Sequence, residues 1–257
     1  MSLWLLFYAG WLGFSPGIPH ARLMIQGFVG GFIVGFMGTA MPRMLDAPRL
    51  AWQEVALLYA VYLGMAGSHV CGKVAWGDGL FLLLLLLFSI FFGVRVLLLR
   101  RDLPPPGFLL AGLGIASAMA GTVLLLSASA EPLSFFAYRL ATLLLYHGFV
   151  LLPVMGVGAF FFPRLLGVPG RENPQDGRWP GAAWQRRAGI GLAVGLAVLA
   201  TFFLEAAGSI VASRLVRAAV VGLYLGTSVP WFRKSLKPTG TLAFSLRVAV
   251  VMIVVGV

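Results

Sequence analysis

Two stretches of this chain, 121 positions apart, carry one pattern, and each is a continuous apolar run long enough to cross a bilayer. Gly27-Phe28-Val29 leads to Pro42-Arg43-Met44-Leu45 and Pro48; Gly148-Phe149-Val150 leads to Pro163-Arg164-Leu165-Leu166 and Pro169. Eight of the 22 paired positions are identical, which makes the pair a duplication rather than two unrelated spans. A histidine stands at or just before the start of each run, His20 in the first and His147 in the second. A duplicated membrane helix bearing imidazole is therefore where a functional argument begins.

The rest of the chain agrees with a membrane setting. Hydrophobic side chains make up 60% and charged ones 11%, too little polar surface to cover a water-soluble core. Apolar runs at 20–41, 54–72, 79–99, 107–127, 133–163, 188–208, 212–232 and 240–257 each meet or approach the ~20 residues that span hydrocarbon. They are continuous rather than alternating, which excludes a β-barrel. The expected fold is an all-α integral membrane protein, a polytopic helical bundle of about 8–9 spanning segments. Leu3 to Phe14 lacks the basic start and small-residue cleavage site of a secretory signal and reads as the outer end of a spanning helix. With the last run reaching Val257 without a polar tail, the sequence leads us to expect a longer parent chain at both ends.

The duplication continues past the Pro-Arg stop. Trp52-Gln53 recurs as Trp184-Gln185, and Arg100-Arg101-Asp102-Leu103-Pro104 recurs as Arg233-Lys234-Ser235-Leu236 before Pro238. The offset grows to 132 and then 133, which places an insertion in the polar loop Gly170 to Ala182, where added residues cost little. Two membrane repeats follow, residues 1–130 and 131–257, each with four spanning segments. An even number returns the chain to its starting side, so the two four-helix repeats are parallel and related by an axis along the membrane normal.

A net charge of +11 raises the question of a nucleic-acid partner, and the placement of the charges answers it. Twelve loop Lys and Arg fall on one side of the expected topology, against Arg22, Lys73, Arg214 and Arg217 on the other. That asymmetry is the positive-inside signature of a membrane protein, with the richer side cytoplasmic. Arg95, Arg139 and Arg247 lie within apolar runs and are expected to snorkel to the headgroups. On the first repeated helix, Gly27, Gly31 and Gly35 recur every four residues, a spacing that lets helices approach closely in lipid. The run from Leu133 to Pro163 is about 46 Å long at helical rise, more than the ~30 Å hydrocarbon core, and Pro153 offers it a bend.

Three histidines and eight carboxylates are the whole inventory for chemistry. The topology puts His20, His69 and His147 together in the outer half of the membrane. Imidazole is the common side-chain ligand of haem iron and copper, and three at one depth make a shared metal site a reasonable expectation. His20 after Pro19, and His69 near Lys73, also suit an ordinary interfacial loop, whereas His147 lies mid-helix. Cys71 is the single cysteine, a soft copper ligand or plain filling. Glu205 and Arg214 read as a headgroup-level pair. No phosphate loop, nucleophile elbow, H-E-x-x-H or C-x-x-C-H occurs, so soluble-enzyme chemistry and covalent c-type haem are not indicated.

The run His20-Ala21-Arg22-Leu23-Met24-Ile25-Gln26-Gly27-Phe28, continuing through Gly35-Phe36 and Thr39-Ala40-Met41-Pro42, resembles the first motif of the NnrS family of polytopic membrane proteins. His147, Arg164, Leu166-Gly167 and Gly170-Arg171 resemble a later motif of that family. The resemblance implies a multi-pass protein of the bacterial inner membrane that binds haem and copper. It also implies a role in nitric oxide metabolism, denitrification and protection against nitrosative stress, with His147 and His20 as the leading cofactor ligands. Arg22 and Leu23 stand where the family's first motif usually has a second His and a Glu. Two other functions suit the residues: a transporter or channel in which the parallel repeats enclose a pathway lined by the histidines and Arg139, and a structural membrane subunit with no cofactor.

Overall fold

The computed structural model describes residues 2–128, 132–165, 176–229 and 241–256. Among them no strand occurs, and nine helices follow in order. They are α1 (Ser2–Tyr8), α2 (Gly17–Met44), α3 (Trp52–Val70), α4 (Val74–Leu99), α5 (Phe108–Ser127), α6 (Phe135–Leu165), α7 (Ala182–Ala206), α8 (Ile210–Ser228) and α9 (Thr241–Val255). Each of the eight apolar runs is helical over most of its described residues, as expected where no water satisfies the backbone and each segment has to bond within itself. Six of the described helices, α2 and α4 to α8, are long and apolar enough to span a bilayer. The chain is an all-α polytopic membrane protein. The Leu3 to Phe14 run is helical only to Tyr8, because the backbone leaves the helix at Gly10 with φ +75°.

Contacts divide the chain into two compact units. The first is Met1–Arg101 with Thr122–Pro132, and the second is Asp102–Gly121 with Leu133–Val257. Within the first, α3 and α4 pack along each other and turn through Gly72, whose φ of +73° suits glycine. Within the second, α7 and α8 pack likewise and turn through Gly208 at φ +101°. Each unit is built around one copy of the duplicated helix. Both copies widen from α to π geometry at overlapping places in the repeat, Leu23–Val29 in α2 and Leu143–Gly148 in α6. Such widenings re-aim side chains and recur at functional sites.

The duplicated helices pack differently. The glycine row of α2, which the sequence marks as a helix-packing face, lines a cleft instead: a Cβ added at Gly35 would meet nothing within 4 Å, and Gly31 faces only the Tyr62 ring. In α6 the paired Gly156 abuts the Gly107 carbonyl and Leu110, and Gly148 abuts Ser117. Here glycine does allow close approach, between α6 and the start of α5. The Ser117 hydroxyl donates to the Leu144 carbonyl at 2.9 Å, satisfying a backbone group in the π-helical turn. Pro153 sits inside α6 against Gly114, so its ring is accommodated by a missing side chain on α5.

Four charge placements correct the reading from sequence. Arg95 does not snorkel. It is 7% exposed, and its guanidinium donates to both Glu54 oxygens and to the Pro48, Arg49 and Phe91 carbonyls, which occupies all five N–H groups. Arg139 turns inward to Glu205 at 2.6 Å, because a desolvated carboxylate offers more than a headgroup does. Arg22 and Arg217, counted above as outer-loop charges, are 4% and 1% exposed within helices. The Arg247 side chain lies outside the described residues, as do Arg233, Lys234 and Lys237.

Candidate functional site

In the first unit, the π-helical stretch of α2 and the residue before it bring Gln26 and Arg22 against α3 and α4. Arg22 Nε lies 2.9 Å from one Asp78 oxygen and 3.2 Å from the other. Gln26 Nε2 donates to Asp78 Oδ1 at 2.6 Å, which leaves its carbonyl oxygen 2.8 Å from His69 Nε2. An amide oxygen only accepts, so Nε2 of His69 carries the proton and donates. All four side chains are buried, His69 and Gln26 completely. The chain Arg22–Asp78–Gln26–His69 thus ties three helices together, with one full charge of each sign compensated inside it.

His69 reaches the end of that chain with its Nδ1 enclosed and unpartnered among the described residues. Its ring lies flat on Gly77, where any side chain would collide with it. With Nε2 bonded to Gln26, His69 anchors the network in this structure.

The second unit carries a different cluster. Glu205 of α7, 3% exposed, receives Arg139 of α6 at 2.6 Å and Arg217 of α8, with Arg214 farther out at 3.8 Å. Three guanidinium groups meet one carboxylate, so the pairing expected at the headgroups is a net-positive cluster in which Glu205 and Arg217 are buried while Arg139 and Arg214 remain open to the outside. Arg217 also lies over the Phe202 ring at 4.9 Å, and its Nε has no partner among the described residues. His147 meets the same Phe202 edge to face, centroids 6.4 Å apart. Its own ring is exposed and makes no hydrogen bond among the described residues.

The duplication sharpens this comparison. At the 121-residue offset Gln26 pairs with His147, and at the 132-residue offset of Trp52 and Trp184, His69 pairs with Thr201, which is buried beside Phe202. The imidazole has changed helices between the copies. His20, half-buried near the start of α2, makes no side-chain hydrogen bond among the described residues. Cys71 is exposed just past α3. Among the described residues, no three His, Cys, Asp or Glu side chains gather as metal ligands would.

These features sit in a chain that a family model described as "NnrS protein" matches over residues 1–257, its whole length. The chain belongs to the NnrS family. No curated protein and no solved structure matches it. Against the family's first motif, the structure shows what Arg22 does in place of an imidazole: it neutralises Asp78. A guanidinium has no lone pair to offer a metal, and Arg22 instead ties the three helices through an ion pair. The later-motif residues Leu166, Gly167, Pro169, Gly170 and Arg171 lie outside the described residues.

Sequence reasoning passed over Gln26, Asp78 and Arg217. Two signals pointed to them. Gln26 is the register partner of His147, and Asp78 is the lone carboxylate within the Val74–Val94 helix. A carboxylate one residue ahead of the 79–99 apolar run, inside the helix that carries that run, calls for a partner.

Proposed function

We propose that this NnrS-family protein works in the bacterial inner membrane in nitric oxide metabolism or the response to nitrosative stress, with His147 and His20 as imidazole donors for haem or copper. The observation that carries this reading is His147: an exposed imidazole without a hydrogen-bond partner among the described residues, inside the π-helical stretch of α6, in a chain matched by the family model throughout. When bound, haem iron or copper would supply a centre able to take nitric oxide. The chain's own contribution is orientation and field. Arg217 rests on the Phe202 ring that the His147 ring meets, and Glu205 holds Arg217, so the imidazole leans on an aromatic that is itself held in place. The excess of guanidinium over carboxylate favours an anionic or electron-rich ligand in this unit.

The test is an absorption spectrum with metal analysis on the full chain purified from membranes. A Soret band or stoichiometric copper in the wild type, lost in His147→Ala or His20→Ala, is the expected result. Neither haem nor copper in the wild type, or an undiminished signal in both variants, would reject the assignment.

A second reading, a transporter built from two parallel repeats, draws on the ion pairs buried in both units, since charges inside spanning segments often mark ion pathways. Flux of a small ion into liposomes that survives metal removal and is lost in Asp78→Asn would favour it.

A further inference from the structure

The first unit holds a cleft of about 570 Å³ between α2, α3 and the loop that joins them, within the size range of ligand sites. It has an apolar length and a cationic end. The α2 backbone at Gly35 forms the floor, and Tyr59 and Tyr62, their rings 6.4 Å apart and near parallel, form one wall. Arg43, in the last turn of α2, and Arg49, in the following loop, close the end. Neither guanidinium is within ion-pair distance of a carboxylate among the described residues. Their neighbours Arg95 and Arg101 are paired, with Glu54 and Asp46. The loop is not slack, because Arg95 holds the Pro48 and Arg49 carbonyls at 3.1 and 3.0 Å. The Arg49 backbone is thus held beside the cleft.

The second copy shows how this geometry looks when it is filled. Phe160 pairs with the cleft residue Thr39 at the 121-residue offset, and Arg164, the partner of Arg43, lies 3.6 Å over the Phe160 ring and donates to its carbonyl. The second copy thus carries a buried aromatic at the register where the first has the small Thr39 on the cleft wall.

We propose that the cleft binds an anionic phospholipid, one acyl chain along the Gly35 floor and the phosphate between Arg43 and Arg49. Charge complementarity selects this occupant: two unpaired cations at one end of an otherwise apolar cleft, on the arginine-rich side of the chain, match a phosphate joined to a hydrocarbon chain. The neighbouring face of α2 carries Phe28 and Phe32, each 71% exposed, as a lipid-facing surface does. No imidazole, thiol or thioether lines the cleft, so the site is separate from any cofactor bound through His147 or His20.

Native mass spectrometry of the full chain in detergent, titrated with dioleoyl phosphatidylglycerol or dioleoyl phosphatidylcholine, tests this. The wild type is expected to bind one phosphatidylglycerol at least about tenfold more tightly than phosphatidylcholine, given two arginines near the phosphate. Arg43→Gln/Arg49→Gln, changed at exposed positions, should lose the preference while still binding both lipids weakly. Gly35→Leu fills the floor and should weaken both lipids together. Millimolar inorganic phosphate should not displace the lipid. Equal affinity for the two lipids in the wild type, a preference that survives the double arginine substitution, or full displacement by inorganic phosphate would each overturn the proposal. Should Gly35→Leu fail to fold, the arginine variant decides the matter alone.

Discussion

Gly35 and Gly156 hold the same register of the duplicated helix and meet opposite surroundings. Gly35 floors an open cleft, while Gly156 is pressed against the Gly107 carbonyl of the segment leading into α5. The difference extends beyond this pair: over the most apolar 18 residues of each helix, 61% are buried in α6 and 28% in α2. Polar groups follow suit. The first unit compensates its charges one to one, through Arg22 and Asp78, and extends them by an amide and an imidazole; the second sets one carboxylate among three arginines and leaves its imidazole outside the hydrogen-bond network. A duplicated sequence thus kept its helix signals while its partners changed what each glycine and each charge does.

Breaking the charged clusters should give the largest effects. Glu205→Ala strands Arg217 in the core without a counter-charge, so a loss of about 3–5 kcal/mol is expected, read as a fall in the unfolding midpoint in detergent. Asp78→Ala should cost a similar amount, because it strands buried Arg22 without its counter-charge and the Gln26 group that faces the site is an N–H donor that cannot accept from a guanidinium; a loss under ~1 kcal/mol would mean that Arg22 has another acceptor. Next comes the glycine pair. Gly156→Leu should cost roughly 1–3 kcal/mol by overpacking against the Gly107 carbonyl, whereas Gly35→Leu should stay within ~0.5 kcal/mol. Thermal unfolding of both variants side by side decides it, and similar losses would mean that the cleft is closed in the membrane.

The histidines give the smallest and sharpest contrast. His69→Ala leaves the Gln26 carbonyl buried and unpaired and should cost about 1–3 kcal/mol. His147→Ala, at an exposed ring, should change stability by no more than ~0.5 kcal/mol. On the cofactor reading, the variant that is nearly silent in unfolding is the one that loses the spectrum. A His147→Ala protein as unstable as His69→Ala would place the second imidazole in the structural class with the first.

Much of the fold was legible because a bilayer leaves few choices. Continuous apolar runs bounded by Pro-Arg, Gly and charged loops became helices at nearly the expected limits, since each run must satisfy its own backbone. The candidate site was legible only in part. Asp78 and Arg22 are 56 residues apart, and Gln26 and His69 are 43 apart, so nothing local announces that they meet. Arg95 and Arg139 were read as snorkelling because that is the cheapest option for an isolated arginine on an isolated helix. Glu54 and Glu205 offered each a nearer partner, and only the packing of other helices brings those carboxylates within reach.

What the sequence determined by itself is the membrane class, the approximate extent of the apolar helices and the internal sequence repeat, because hydrophobic length and proline or glycine stops act on one segment at a time. The tertiary structure alone decided which glycines pack and which stand open, which imidazole is sealed, and which arginine meets a carboxylate. Those outcomes depend on the surface that a neighbouring helix presents, and two copies of one helix with different neighbours settle them differently.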